Sequence, residues 1–238
     1  MLILQIPVFS MVAIEQQSAD ISGNPVLTGA ENATLGKILK CMTSAVAPFK
    51  KAYRQPDLRR PLNENKMTQI FVEQIEVQIK SVESIGVKNQ YSDVFFGTKG
   101  VPDFYFHKVE EGRTHSPLFV VEAKRLPAPD SAAEREREYV IGSNSNGGIQ
   151  RFKIEKHGKG LDDCGMVAFV ENGTFQFWKT SINHWITELS QSDKCWNKNE
   201  ILNETKVTVD CTALESIAYA TSQREVRLHH LWIDVQSE

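Results

Sequence analysis

Asp103, Glu122 and Lys124 are the residues whose types and spacing could do chemistry together. They lie in VPDFYFHKVEEGRTHSPLFVVEAKRL, Val101 to Leu126, two apolar runs joined by the turn-like EEGRT. An antiparallel hairpin centred between Gly112 and Arg113 sets Asp103 opposite Glu122. Side chains alternate along a strand, so Phe104, Phe106, Phe119 and Val121 share one face, while Asp103, Tyr105, Val120, Glu122 and Lys124 share the other. Two carboxylates that close repel unless one keeps its proton or a cation lies between them. A hard cation such as Mg²⁺ takes carboxylate and carbonyl oxygens and retains several waters. Such a site holds a phosphate oxygen, activates a bound water and stabilises a leaving group. A lysine beside it orients that water or neutralises charge building on phosphorus. The carbonyl of Ala123 is placed to add an oxygen ligand. Singly, Glu-x-Lys at a strand end, or Pro-Asp, is no more than an exposed strand end with a surface ion pair; the combination points to phosphoryl chemistry.

Several elements must position these groups. NENKMTQIFVEQIEVQIKSV carries Met67, Phe71, Ile75 and Ile79 at steps of four, the buried stripe of a helix. Asn63 suits its N-cap and Glu64 its positive end, with Glu64 pointing toward the buried side of the first turn. Glu73 and Glu76 fall on the solvent side. Strands are expected at Asp93 to Phe96, Val101 to His107 and Leu118 to Ala123. Ser131 to Glu134 looks like a capping box opening a helix toward Tyr139. Gly142 to Gly148 reads as a flexible loop, and IQRFKIEKHG as a short helix ending at Gly158. MVAFVENGTFQFW predicts a hairpin turning at Asn172-Gly173. Ser181 would cap a helix through Leu189, followed by strands near Lys206 to Val209 and at VRLHHLWIDV. Upstream, Leu35 to Ala47 predicts a helix stopped near Pro48. Lys50 to Arg60, KKAYRQPDLRR, is a solvated linker or a phosphate-contacting arm.

Pro102-Asp103 followed by Glu122-Ala123-Lys124 resembles the motif of the PD-(D/E)XK nuclease superfamily, the restriction-endonuclease-like fold. The order of elements is similar too: helix from Glu64, motif hairpin, helix from Gly148, strand from Met166. The resemblance implies an α/β protein with a mixed central sheet whose antiparallel motif-bearing hairpin is flanked by helices. It covers about 63–178 of a single domain spanning 1–238, leaving an N-terminal extension, 1–62, and a C-terminal elaboration, 179–238. It implies a nuclease cutting phosphodiester bonds, most often in DNA, with Mg²⁺ as cofactor and Mn²⁺ able to substitute. Asp103 and Glu122 would bind metal with Ala123 and Glu64, and Asp103, Glu122, Lys124 and Gln150 would form the catalytic set. Arg151, Lys153, Lys156 and Lys159 would meet the phosphate backbone. Many enzymes of this fold act as homodimers. The alternative is a catalytically silent module of the same fold that binds nucleic acid or a protein partner.

The whole chain fits an ordinary globular protein: 238 residues, 41% hydrophobic and 24% charged. A net charge of −3 excludes a histone-like protein, though a local basic face suffices to hold phosphates. Cys41, Cys164, Cys195 and Cys211 are too far apart for a zinc or redox motif. MLILQIPVFSMVAI lacks a basic start and no run is long enough for a membrane span, so a cytoplasmic protein is expected. Of the histidines, His229 and His230 alternate faces of the last strand, and His157 reads as solvent-exposed within a basic run.

Overall fold

The computed structural model describes residues 29–82, 84–129 and 135–236. Its centre is a seven-stranded sheet in the order β1-β2-β3-β4-β7-β6-β5. The strands are β1 (Ile85–Asn89), β2 (Phe104–Lys108), β3 (Phe119–Leu126), β4 (Asp163–Val170), β5 (Asn203–Val207), β6 (Cys211–Tyr219) and β7 (Glu225–Asp234). β1, β2 and β3 form an antiparallel meander; β3, β4 and β7 run parallel; β6 and β5 return antiparallel on the far edge. Every residue of β4 is buried, as a central parallel strand covered on both faces requires.

Period-two alternation divides the sheet between two apolar layers. Phe104, Phe106, Phe119, Val121, Val167 and Phe169 pack with helices α1 (Gly29–Ser44), α2 (Val46–Tyr53) and α3 (Glu64–Ile79). Val120, Met166, Ala168 and Trp232 pack on the opposite face with α4 (Gly148–Lys153) and α5 (Phe175–Ser192). The register Phe104↔Val121, Tyr105↔Val120, Phe106↔Phe119 is the one the apolar alternation predicts. In α3 the Asn63 side chain accepts from Lys66 N at 3.0 Å, and Met67, Phe71, Ile75 and Ile79 are all buried. The strands after residue 178 belong to the same sheet, and β7 lies directly beside β4.

The structure departs from the sequence expectations at several places. No hairpin forms at Asn172-Gly173: β4 ends at Val170, the chain turns through Gly173 at φ 79°, and it enters α5 under a Thr174 cap, which accepts from Phe177 N at 3.1 Å. The two-residue alternation of TFQFW also fits a helix whose buried side is Trp178, Ile182, Trp185 and Ile186. Ser181 is therefore inside the helix. Asp93 to Phe96 is a bend rather than a strand; the edge strand is β1. Pro48 does not stop a helix but lies in the first turn of α2, where its missing N–H breaks no bond. Lys50 and Lys51, read as linker, are helical, and Lys50 pairs with Asp210 at 2.5 Å. α4 ends at Lys153, well before Gly158, with Glu155 at φ 54° in between. The capping box expected at Ser131 to Glu134 lies outside the described residues. β6, not anticipated, is the partner that encloses β7. Among the described residues no helix is long and apolar enough to cross a membrane.

Candidate active site

Glu122 and Lys124 stand on the face of β3 that carries neither Val121 nor Ala123, and both are buried. Glu122 is wholly enclosed. Its Oε1 accepts from Lys124 Nζ at 2.8 Å and from the Arg151 guanidinium; its Oε2 lies 3.2 Å from Nδ1 of His157. Burial alone would raise this carboxyl, but the contacts with His157, Lys124 and Arg151 bring it down to about 2. Asp103, where the chain enters β2, is half-buried, and its Oδ2 accepts from Ala123 N at 2.7 Å. Burial, then the charge of Glu122, push Asp103 up to about 8 despite Lys124. Near neutral pH Glu122 is therefore ionised and Asp103 keeps its proton, as two neighbouring carboxyls without a cation between them must.

Glu64 reaches the same place from the other apolar layer. Asn63 starts α3 so that the Glu64 side chain meets Lys124 Nζ at 3.3 Å and the Arg125 N–H at 3.2 Å. Burial raises its pKa, moderated by Lys124. For Lys124 itself burial favours the neutral form, but Glu122, Glu64 and Asp103 together raise it above its ordinary value. Lys124 is a fixed ammonium bridging two acids.

The structure thus gathers Glu64, Asp103, Glu122, Ala123, Lys124 and Arg151. Arg151 turns inward to Glu122 instead of outward as a phosphate contact would. Gln150 is not brought in: its Oε1 faces the N–H groups of Gly142 and Gly147 at 3.3 and 3.4 Å, tying down the loop before α4. Lys153 is buried elsewhere, bonded to Glu200 and the Tyr219 carbonyl beneath the Trp196 ring. A lysine so enclosed meets no phosphate. Lys156 donates to Asn146 at 3.0 Å, and Lys159 is exposed.

His157 is the residue the sequence misplaces. Its basic neighbours suggest a solvated position, yet it is buried against Glu122 and meets the Phe152 ring edge-on. The nearest sequence signal is Gly100: a Cβ there would fall 2.0 Å from the Lys156 carbonyl oxygen and 2.4 Å from His157 Cδ2. The loop can close over His157 only because Gly100 lacks a side chain. Burial lowers the His157 pKa against the pull of Glu122, so the ring is neutral near pH 7. The remaining conspicuous pair behaves as expected. His229 meets Asp163 at 2.7 Å on one face, and His230 meets Tyr139 and Ser216 at 2.8 and 2.9 Å on the other.

Glu64, Asp103 and Glu122 are oxygen donors of the kind a hard divalent cation takes. Glu122 Oε2 is buried without a hydrogen bond, and Asp103 keeps its proton beside an ionised neighbour; a cation between them would relieve both. Among the described residues no three His, Cys, Asp or Glu side chains are gathered around one point, because the Lys124 ammonium stands between Glu64 and Glu122. Mg²⁺ needs only one or two protein carboxylates, completing its shell with waters and substrate phosphate. Comparison with family models, curated proteins and solved structures yields no match.

Proposed function

We propose that this chain is a divalent-metal-dependent nuclease hydrolysing phosphodiester bonds, with DNA as its substrate. The observation that carries the proposal is Asp103, just ahead of β2, accepting from Ala123 N at 2.7 Å beside the buried Glu122–Lys124 pair. Asp103 and Glu122 would hold Mg²⁺ or Mn²⁺, joined by Glu64 from α3 and by the Ala123 carbonyl. Bound there, the metal supplies a polarised water and neutralises phosphate charge. Lys124, held 2.8 Å from Glu122, orients that water or meets the developing charge on phosphorus. Arg151, on the oxygen that Lys124 also meets, and His157, on the other oxygen, brace Glu122 and fix its rotamer, so the ligand would be preorganised. Lys159, exposed, and Lys156, whose Nζ donates to Asn146, would meet the phosphate backbone.

A second reading has its own observation in favour. Lys124 and Arg151 already neutralise Glu122, which would suit a silent module of the same fold that binds nucleic acid or protein.

Cleavage of supercoiled plasmid and of labelled single strands with Mg²⁺ or Mn²⁺ separates them. The nuclease requires metal-dependent cutting that Asp103→Ala and Lys124→Ala each reduce at least about a hundredfold. Absence of both cutting and calorimetric metal binding would sink the enzyme and leave the module.

A further inference from the structure

The connection from β1 to β2, residues 90–103, begins and ends at the carboxylate pair. Gln90 N donates to the Asp103 carbonyl at 2.7 Å and Tyr91 N to the Pro102 carbonyl at 3.2 Å, so both legs are pinned there. Between the legs Asp93 gathers the chain. Its Oδ1 accepts from Phe95 N and Phe96 N, each at 2.9 Å, and its Oδ2 from Thr98 N at 2.9 Å and Thr98 Oγ1 at 2.8 Å. The loop is a fixed shape rather than a tether. Its tip nevertheless presents Val94, Phe95 and Phe96 to water, 66%, 46% and 50% exposed, with Val101 at 46% on the return leg. Large apolar side chains held side by side in solvent mark an interaction surface.

The surroundings specify what it meets. The return leg lies on the segment 156–160, with Gly100 against the Lys156 carbonyl and the Phe96 ring over Gly160, where a Cβ would approach within 2.8 Å. Phe96 therefore lies with Lys156, Lys159 and His157, which touches Glu122, around one small cavity, and the exposed Lys99 follows three residues on in the chain. Aromatic faces set among lysines match a polynucleotide with unstacked bases: rings take the bases, ammonium groups the phosphates. We propose that Phe95 and Phe96 form a base-stacking wedge beside the candidate site, selecting unpaired stretches of a polynucleotide over intact duplex. This deepens the nuclease reading and rests on it.

Phe96 leans on Gly160, so Phe95→Ala is the decisive variant and Phe95→Trp the conservative one, with circular dichroism and melting temperature confirming the fold. Binding is followed in EDTA by anisotropy of single-stranded and duplex oligonucleotides, some carrying 2-aminopurine. Phe95→Ala should weaken single-strand binding about tenfold without changing its salt dependence, while Phe95→Trp retains it. Lys159→Ala should instead lower the salt slope by about one. Wild type should change 2-aminopurine fluorescence on binding, and Phe95→Ala should not. Equal binding by Phe95→Ala and wild type, in a protein that cuts plasmid, would overturn the wedge and leave the nuclease. Failure of wild type to bind any polynucleotide would overturn both. A sedimentation dimer that Phe95→Ala dissolves would give the patch to a second copy and overturn the wedge.

Discussion

Two buried lysine–glutamate pairs, Lys153–Glu200 and Lys124–Glu122, are alike in composition but not in character. Lys153 and Glu200 satisfy each other completely: Nζ also donates to the Tyr219 carbonyl and lies over the Trp196 ring, while Glu200 accepts from Tyr219 N at 2.7 Å and Asn197 N at 2.9 Å. Lys124 and Glu122 are as enclosed, yet among the described residues Glu122 Oε2 and His157 Nδ1, 3.2 Å apart, and Arg151 Nε make no well-aligned hydrogen bond, and Asp103 alongside is driven to about 8. The first pair closes a hydrogen-bond network that ties α4, β6 and the turn 198–200 together. The second leaves buried polar atoms wanting a partner. A closed network is architecture; an open one of the same composition is a candidate site for a ligand.

The sharpest way to break this contrast is to delete each lysine. Lys153→Ala strands the Glu200 carboxylate and should lower unfolding free energy by about 3–5 kcal/mol. Lys124→Ala leaves Glu122 paired with Arg151 and His157, so it should destabilise far less while abolishing cutting. Equal losses in urea titrations would erase the distinction.

The open site should also respond to loss of its brace. His157→Ala should weaken metal binding measured by calorimetry by about 10–100-fold, with His157→Gln recovering part through its own amide donor. An unchanged metal affinity would confine His157 to packing.

Asp103 supplies a pH signature that the closed pair lacks. Its folded pKa stands near 8 against an ordinary 3.8, so the fold favours the protonated form. That contribution is fully present below about pH 4 and is lost as pH rises through 8. Asp103→Asn, in EDTA, should therefore gain stability relative to wild type as pH rises from 4 to 8. The opposite trend would show that Asp103 is ionised in the metal-free protein. The smallest effect concerns the delivery of Glu64: Asn63→Ala, which removes the cap of α3, should cost about 1 kcal/mol and reduce cutting only modestly.

Local rules made part of this molecule legible from its residues alone. The alternation of Phe104, Phe106, Phe119 and Val121 dictated the β2–β3 register, because a slip of one residue would turn the apolar side of the strand to the wrong face. The four-residue stripe and Asn63 cap likewise specified α3. From the hairpin Asp103, Glu122 and Lys124 could be placed together before any coordinates, while Glu64 joined them only through the motif resemblance. The sequence was ambiguous where one pattern served two periods, as in TFQFW, and where a strand such as β6 announced itself only through its partner β7. Tertiary structure alone decided which charges turn inward. Arg151, Lys153 and His157 lie within one basic run, yet the first and last converge on Glu122 while the middle one crosses to Glu200. Nothing within seven residues of chain distinguishes those fates. They follow from acids supplied by β3 and by the segment before β5, because a buried charge goes where an opposite charge and a hydrogen bond are available.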